Sequence, residues 1–219
     1  MMVAAQLERH FKQTKATNKP FVTISREFGC DAKQLAEQII ERLQAGNKDP
    51  EVPWIIFGKT RLLDVISQVQ LSQDTVRMLE DYGDSSFASY IQEQLFGHKA
   101  QLTTIKKIGK LLHIMAERGN VVLVGSGASV LTRSLASGIH VRLYASLEWR
   151  CANYQSRWKL DKAAAHSEVL EKQEKREGFV KTYLGDDVAN PSLYHLLINN
   201  ERMDTRRIAD LLAAMLSGS

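Results

Sequence analysis

Phe21-Val22-Thr23-Ile24-Ser25-Arg26-Glu27-Phe28-Gly29-Cys30-Asp31-Ala32-Lys33-Gln34-Leu35 is the stretch from which the architecture is read. It opens on a short apolar run, Phe21–Ile24. After it, Leu35, Ala36, Ile39, Ile40 and Leu43 recur at helical spacing until Gly46-Asn47 stops them. A strand, a turn holding Gly29 and a helix beginning close to Asp31 form one βα unit. Four more apolar runs repeat the theme: Trp54–Phe57, Val121–Val124, Ile139–Tyr144 and His195–Ile198. Val121-Val122-Leu123-Val124 is apolar at every position, as expected of a parallel strand covered by helices on both faces. Ile105, Ile108, Leu111, Leu112 and Met115 predict a helix ending at Gly119-Asn120, and a last helix is expected from Thr205 to Leu216. Strands alternating with helices predict a three-layer α/β fold.

The chain has 219 residues, 44% hydrophobic and 25% charged, an ordinary globular composition that excludes disordered, collagen-like and coiled-coil classes. Its net charge of +4 suits an anionic ligand but is too small to imply nucleic acid. Two cysteines, Cys30 and Cys151, make neither a disulfide framework nor a zinc spacing, so a reduced, cytoplasmic setting is expected. The start of the chain meets a charge before any apolar segment forms, and no stretch has the length of a membrane span. One domain over 1–219 is expected, interrupted by a helical, polar insertion at 58–104 and a charged one at 147–190. Self-association is left open.

In open α/β sheets ligands sit beyond the carboxyl ends of the strands. A phosphate-binding turn needs glycine for close backbone approach, a cation and a helix N-terminus. Gly29 and Lys33 supply part of this, but the full GxxxxGK[ST] pattern is absent. An ordinary strand–loop–helix corner would read the same way.

Ile24-Ser25-Arg26-Glu27-Phe28-Gly29 resembles the opening of the cytidylate kinase-like family, relatives of the P-loop nucleoside monophosphate kinases. Three further segments agree in order. Ala116 to Ala128 resembles the third strand and its Gly-Arg-Gly turn, His140 to Arg150 the strand leading into a lid, and Lys175 to Asn199 the lid's return and the last strand. The resemblance spans roughly residues 20 to 212 and implies a P-loop-kinase-type fold with a five-stranded parallel sheet of order 2-3-1-4-5. It makes 58–104 the acceptor-binding insertion and 147–190 the lid.

By the same resemblance the protein transfers a phosphoryl group from ATP, with Mg2+, to CMP or a similar nucleotide. Ser25, Arg26, Gly29, Cys30 and Lys33 would hold the donor. Gly125, Ser126, Gly127 and Arg157 would border the acceptor, and Lys33, Lys175 and Arg176 would act on the moving phosphate. Arg142 and Arg150 flank the fourth strand. From Glu148 to Lys181 eight Lys/Arg face six Asp/Glu, so a solvated helix laced with i,i+4 pairs reads equally well there.

Three departures from the family pattern run in one direction. Cys30-Asp31-Ala32 replaces glycines, and Asp31 brings a carboxylate to the expected position of an anion. Ser126 replaces the arginine of the Gly-Arg-Gly turn. Gln34 stands where a P-loop offers Ser or Thr to magnesium, so no metal ligand is assigned. These changes predict weakened catalysis, and the alternative is a catalytically degenerate nucleotide-binding or regulatory module.

Cys30 precedes a helix N-terminus, where thiols acidify, although a small neutral filler reads as well. The six histidines show no metal-binding spacing. Residues 62–79 have the pattern of a helix-turn-helix, which would make a DNA-binding regulator. Asp74, Glu80, Asp81 and Asp84 around it repel a DNA backbone, so nucleic acid is disfavoured as a partner and nucleotide small molecules are preferred.

Overall fold

The computed structural model describes residues 19–46, 52–58, 102–125 and 127–217. Its strands are β1 (Phe21–Arg26), β2 (Ile55–Gly58), β3 (Val121–Val124), β4 (Gly138–Tyr144) and β5 (Leu196–Asn199). They form one parallel sheet in the order β2-β3-β1-β4-β5. Six α-helices are described: α1 (Ala32–Ala45), α2 (Leu102–Arg118), α3 (Ala128–Thr132), α4 (Leu147–Trp158), α5 (Lys162–Leu184) and α6 (Thr205–Ser217). The expected α/β class and strand order are those of the structure. The insertion expected over 58–104 lies outside the described residues except at its ends, where Gly58 closes β2 and 102–104 open α2. The helix-turn-helix pattern of 62–79 and Ser126 also lie outside them.

Pleating divides the strands between two cores. Phe21, Val121 and Leu123 face one side and pack with Leu111, Met115, Ala128 and Val130 of α2 and α3. Val22, Ile24, Val122, Val141 and Leu143 face the other and meet Leu35, Ile39, Ile208 and Leu212 of α1 and α6. Each such side chain withdrawn from water contributes about 1.5–3 kcal/mol, which is why strands apolar on both faces order into the middle layer.

The chain enters β3 through a sharp left-handed turn. Gly119 has φ +72°, and a side chain there would collide with the Lys19 carbonyl. Asn120 follows at φ 50° and donates from Nδ2 to the Val52 carbonyl at 2.9 Å. This turn ends α2 and sets the register of β3 against β1.

The charged insertion folds as a helical hairpin. Ser146 caps α4 by accepting from the Trp149 amide, and Asp161 caps α5 by accepting from the Ala164 amide. Gly185, at φ 65°, closes α5, where the Asp186 amide reaches the Val180 carbonyl. Among the described residues no helix is long and apolar enough to cross a membrane.

Candidate functional site: the corner after β1

The parallel sheet brings the ends of β1, β3 and β4 to one edge, where the β1–α1 corner lies. Glu27 organises it. Its amide donates to the Leu143 carbonyl at 2.9 Å, and its carboxylate accepts from the Ala145 amide at 3.1 Å and pairs with Arg150 at 3.3 Å. Arg150, nearly buried, also donates to the Ala145 carbonyl at 3.2 Å and the Phe28 carbonyl at 3.1 Å. Its guanidinium therefore ties the corner to the start of α4.

Gly29 has φ +100°, and a Cβ on it would lie 2.7 Å from both the Cβ and the carbonyl oxygen of Arg150. The glycine lets the corner lie directly against α4. The Gly29 carbonyl accepts from Asn153 Nδ2 at 2.8 Å. The Phe28 amide donates to Gln173 Oε1 at 2.6 Å, and the Asp31 amide donates to Asn200 Oδ1 at 2.8 Å. Two backbone donors of the corner thus already have side-chain acceptors.

Asp31 stands at the N-cap position of α1 but makes no capping bond with its side chain. Its carboxylate accepts instead from Asn153 Nδ2 at 2.8 Å and from the Arg157 guanidinium, both on α4. Asp31 is thus held by α4 rather than by the first turn of α1. α5 lies alongside, with Arg176 4.6 Å and Lys172 5.2 Å from the centre of the Phe28 ring. Tyr154 stacks edge-on against Phe28, and Lys172 donates to its hydroxyl at 2.8 Å. Hydrogen bonds from Lys172 and Tyr154 hold the Glu168 carboxyl below its ordinary range.

The residues singled out from sequence divide into two groups. Ser25, Gly29, Cys30, Arg157 and Arg176 come together at or beside the corner, and Arg26 closes β1 half-buried. Gly125 adjoins it, since its amide donates to the Ile24 carbonyl at 3.1 Å, and Gly127 precedes α3. Lys33 and Lys175 point away. The Lys33 side chain is 87% exposed and pairs with Glu37 on the outer face of α1, and Lys175 pairs with Glu171. Cys30 is buried, and burial followed by the Glu27 charge pushes its thiol up to about 12, as a neutral filler requires.

Sequence reasoning missed Asn153, Gln173 and Asn200. Asn200 lies one residue past β5, so the strand-end rule would have found it. The others carry no periodic signal. Among the described residues no group of three His, Cys, Asp or Glu could hold a metal ion.

An uncharacterized protein from Eubacterium ventriosum ATCC 27560 has a similar fold, with a TM-score of 0.66 at 14% identity over 92% of this chain and 99% of that one. Shikimate kinase from Bacteroides thetaiotaomicron aligns with a TM-score of 0.47 at 13% identity, over 90% of this chain and 98% of the other. Dephospho-CoA kinase from Campylobacter jejuni aligns with a TM-score of 0.39 at 12% identity, over 93% and 100%. No curated protein sequence matches the chain. The model of the cytidylate kinase-like family matches residues 21–202, so the chain belongs to that family.

Proposed function

We propose that this protein is a nucleotide kinase of weakened turnover, which binds ATP at the β1–α1 corner and transfers a phosphoryl group to CMP or a similar nucleoside monophosphate. The observation carrying this reading is the family match over residues 21–202, on a sheet whose carboxyl edge gathers the β1 corner, Gly125 and the α4–α5 hairpin. In phosphoryl transfer a protein contributes chiefly position and positive charge. Arg157 and Arg176 are the proposed sources of that charge, with 147–190 as the lid. The described residues form no metal site of their own, so Mg2+ enters this reading on the donor's phosphates, its usual manner of binding.

A second reading has its own observation. Arg157 is paired with Asp31, and Lys33 stands out in solvent, which favours a nucleotide-binding module without turnover. A thermal melt with ATP, CMP and Mg2+, beside a product assay for CDP, separates the two. A raised melting point with CDP formed supports the kinase, and a raised melting point without product supports the module. If no nucleotide moves the melting point, both readings fail.

A further inference from the structure

Phe28 has its backbone fastened to both helices of the charged hairpin. Its carbonyl accepts from Arg150 of α4 at 3.1 Å, and its amide donates to Gln173 Oε1 of α5 at 2.6 Å. The Tyr154 ring meets the Phe28 ring edge-on, with centres 5.0 Å apart, so the plane of the ring is set as well as its position. Two cations of α5 lie over it. The guanidinium carbon of Arg176 is 4.6 Å from the ring centre, and Lys172 Nζ is 5.2 Å from it. Both lie inside the reach of a cation–π attraction, about 6 Å. Lys175, beside Arg176 in sequence, turns to Glu171 instead.

The way a cation is held decides what it can still do. Lys172 bonds the Glu168 carboxylate and the Tyr154 hydroxyl, so a carboxylate offsets its charge. Arg150 and Arg157 likewise pair with Glu27 and Asp31. An aromatic ring attracts a cation through its quadrupole and carries no net charge of its own. A guanidinium over a ring face still offers its in-plane N–H groups to an oxyanion. Arginine is also long and rich in rotamers, and a rigid ring beneath it lowers the entropy lost when an anion recruits it.

We propose that Phe28 is a positioning residue, whose ring holds Arg176 at the β1–α1 corner with its charge available to a polyphosphate. The polyphosphate rests on the kinase reading above.

The test titrates the full chain with inorganic triphosphate by calorimetry, at constant ionic strength, with Phe28 native or replaced by mono-, di- and trifluorophenylalanine. Fluorine draws electrons from the ring face while changing its shape little, so a ring that merely fills space gives the same affinity throughout. We expect affinity to fall stepwise along the series, by about fivefold at its end. Arg176→Gln binds as weakly as the trifluoro chain and is insensitive to fluorination. Affinity that is constant or rises along the series overturns the proposal, as does Arg176→Gln that keeps the dependence or a native chain that does not bind triphosphate. CDP formation from ATP and CMP is assayed in parallel. The stepwise loss without any CDP upholds the positioning role and overturns turnover in the kinase reading.

Discussion

Asp31 and Arg157, 126 residues apart in sequence, form an ion pair that joins the β1–α1 corner to the end of α4. The acid is mostly buried and the arginine 41% exposed, so solvent screens the pair. Pairs of this kind contribute about 0.2–1 kcal/mol, little enough for a triphosphate to displace. On the proposed reading of ATP at this corner, Asp31→Asn removes a like charge from beside its phosphates. We expect it to tighten ATP binding about tenfold, measured by calorimetric titration with Mg2+ present. Unchanged affinity would mean that the carboxylate lies off the phosphate path.

Gly29→Ala tests the close contact with α4. The new methyl meets Arg150 while the backbone stays in a region that alanine avoids. A loss of about 2–3 kcal/mol follows, read as a lower urea midpoint with an unchanged slope. A midpoint equal to the native one would show that the corner relaxes freely.

His140 gives the fold an acid limit. It is buried in β4, 2.9 Å from Thr23 Oγ1, and burial, aided by His195, pushes its imidazole down from 6.5 to about 4. The unfolded chain takes up this proton near pH 6.5, whereas the folded chain takes it up only near pH 4. Its part of the stability is complete above pH 6.5, is lost as the pH falls towards 4 and is constant below that. The slope is about 1.4 kcal/mol per pH unit and the total about 3 kcal/mol. Urea titrations of native protein and His140→Asn across this window should diverge, the native curve falling more steeply. Parallel curves would remove His140 as the cause.

Cys30 is expected to resist alkylation. With its thiol at about 12, the thiolate at pH 8 is about a thousandfold scarcer than for a thiol at the ordinary 9.0. Timed iodoacetamide labelling of the folded protein, read by mass spectrometry, should leave Cys30 unmodified long after the urea-unfolded chain is fully labelled. Equal rates in the two states would contradict the burial described.

The sheet was legible because its strands are apolar on both faces. The expected ends differ from the observed ones where backbone pairing overrides side-chain polarity. β1 continues through Ser25 and Arg26, which pair with Arg142 and Leu143. β2 begins at Ile55 because the Trp54 amide donates to Gln44 Oε1. Lys33 was read as a cation of the turn, although it falls outside the stripe of Leu35, Ala36, Ile39 and Leu43 and the structure leaves it in solvent beside Glu37. Asn153 and Gln173 were not legible. A single polar residue on an exposed helix gives no sign that it will bond a loop more than a hundred positions earlier.

The hairpin of α4 and α5 is fastened at both feet. Arg150 anchors the first helix to the corner, and Val180 lies in the core with Phe21 and Val121. Movement of the hairpin relative to the sheet would have to break one of these anchors. Arg157 lies beyond those anchors and is 41% exposed, so turning its side chain alone would release its hold on the Asp31 carboxylate.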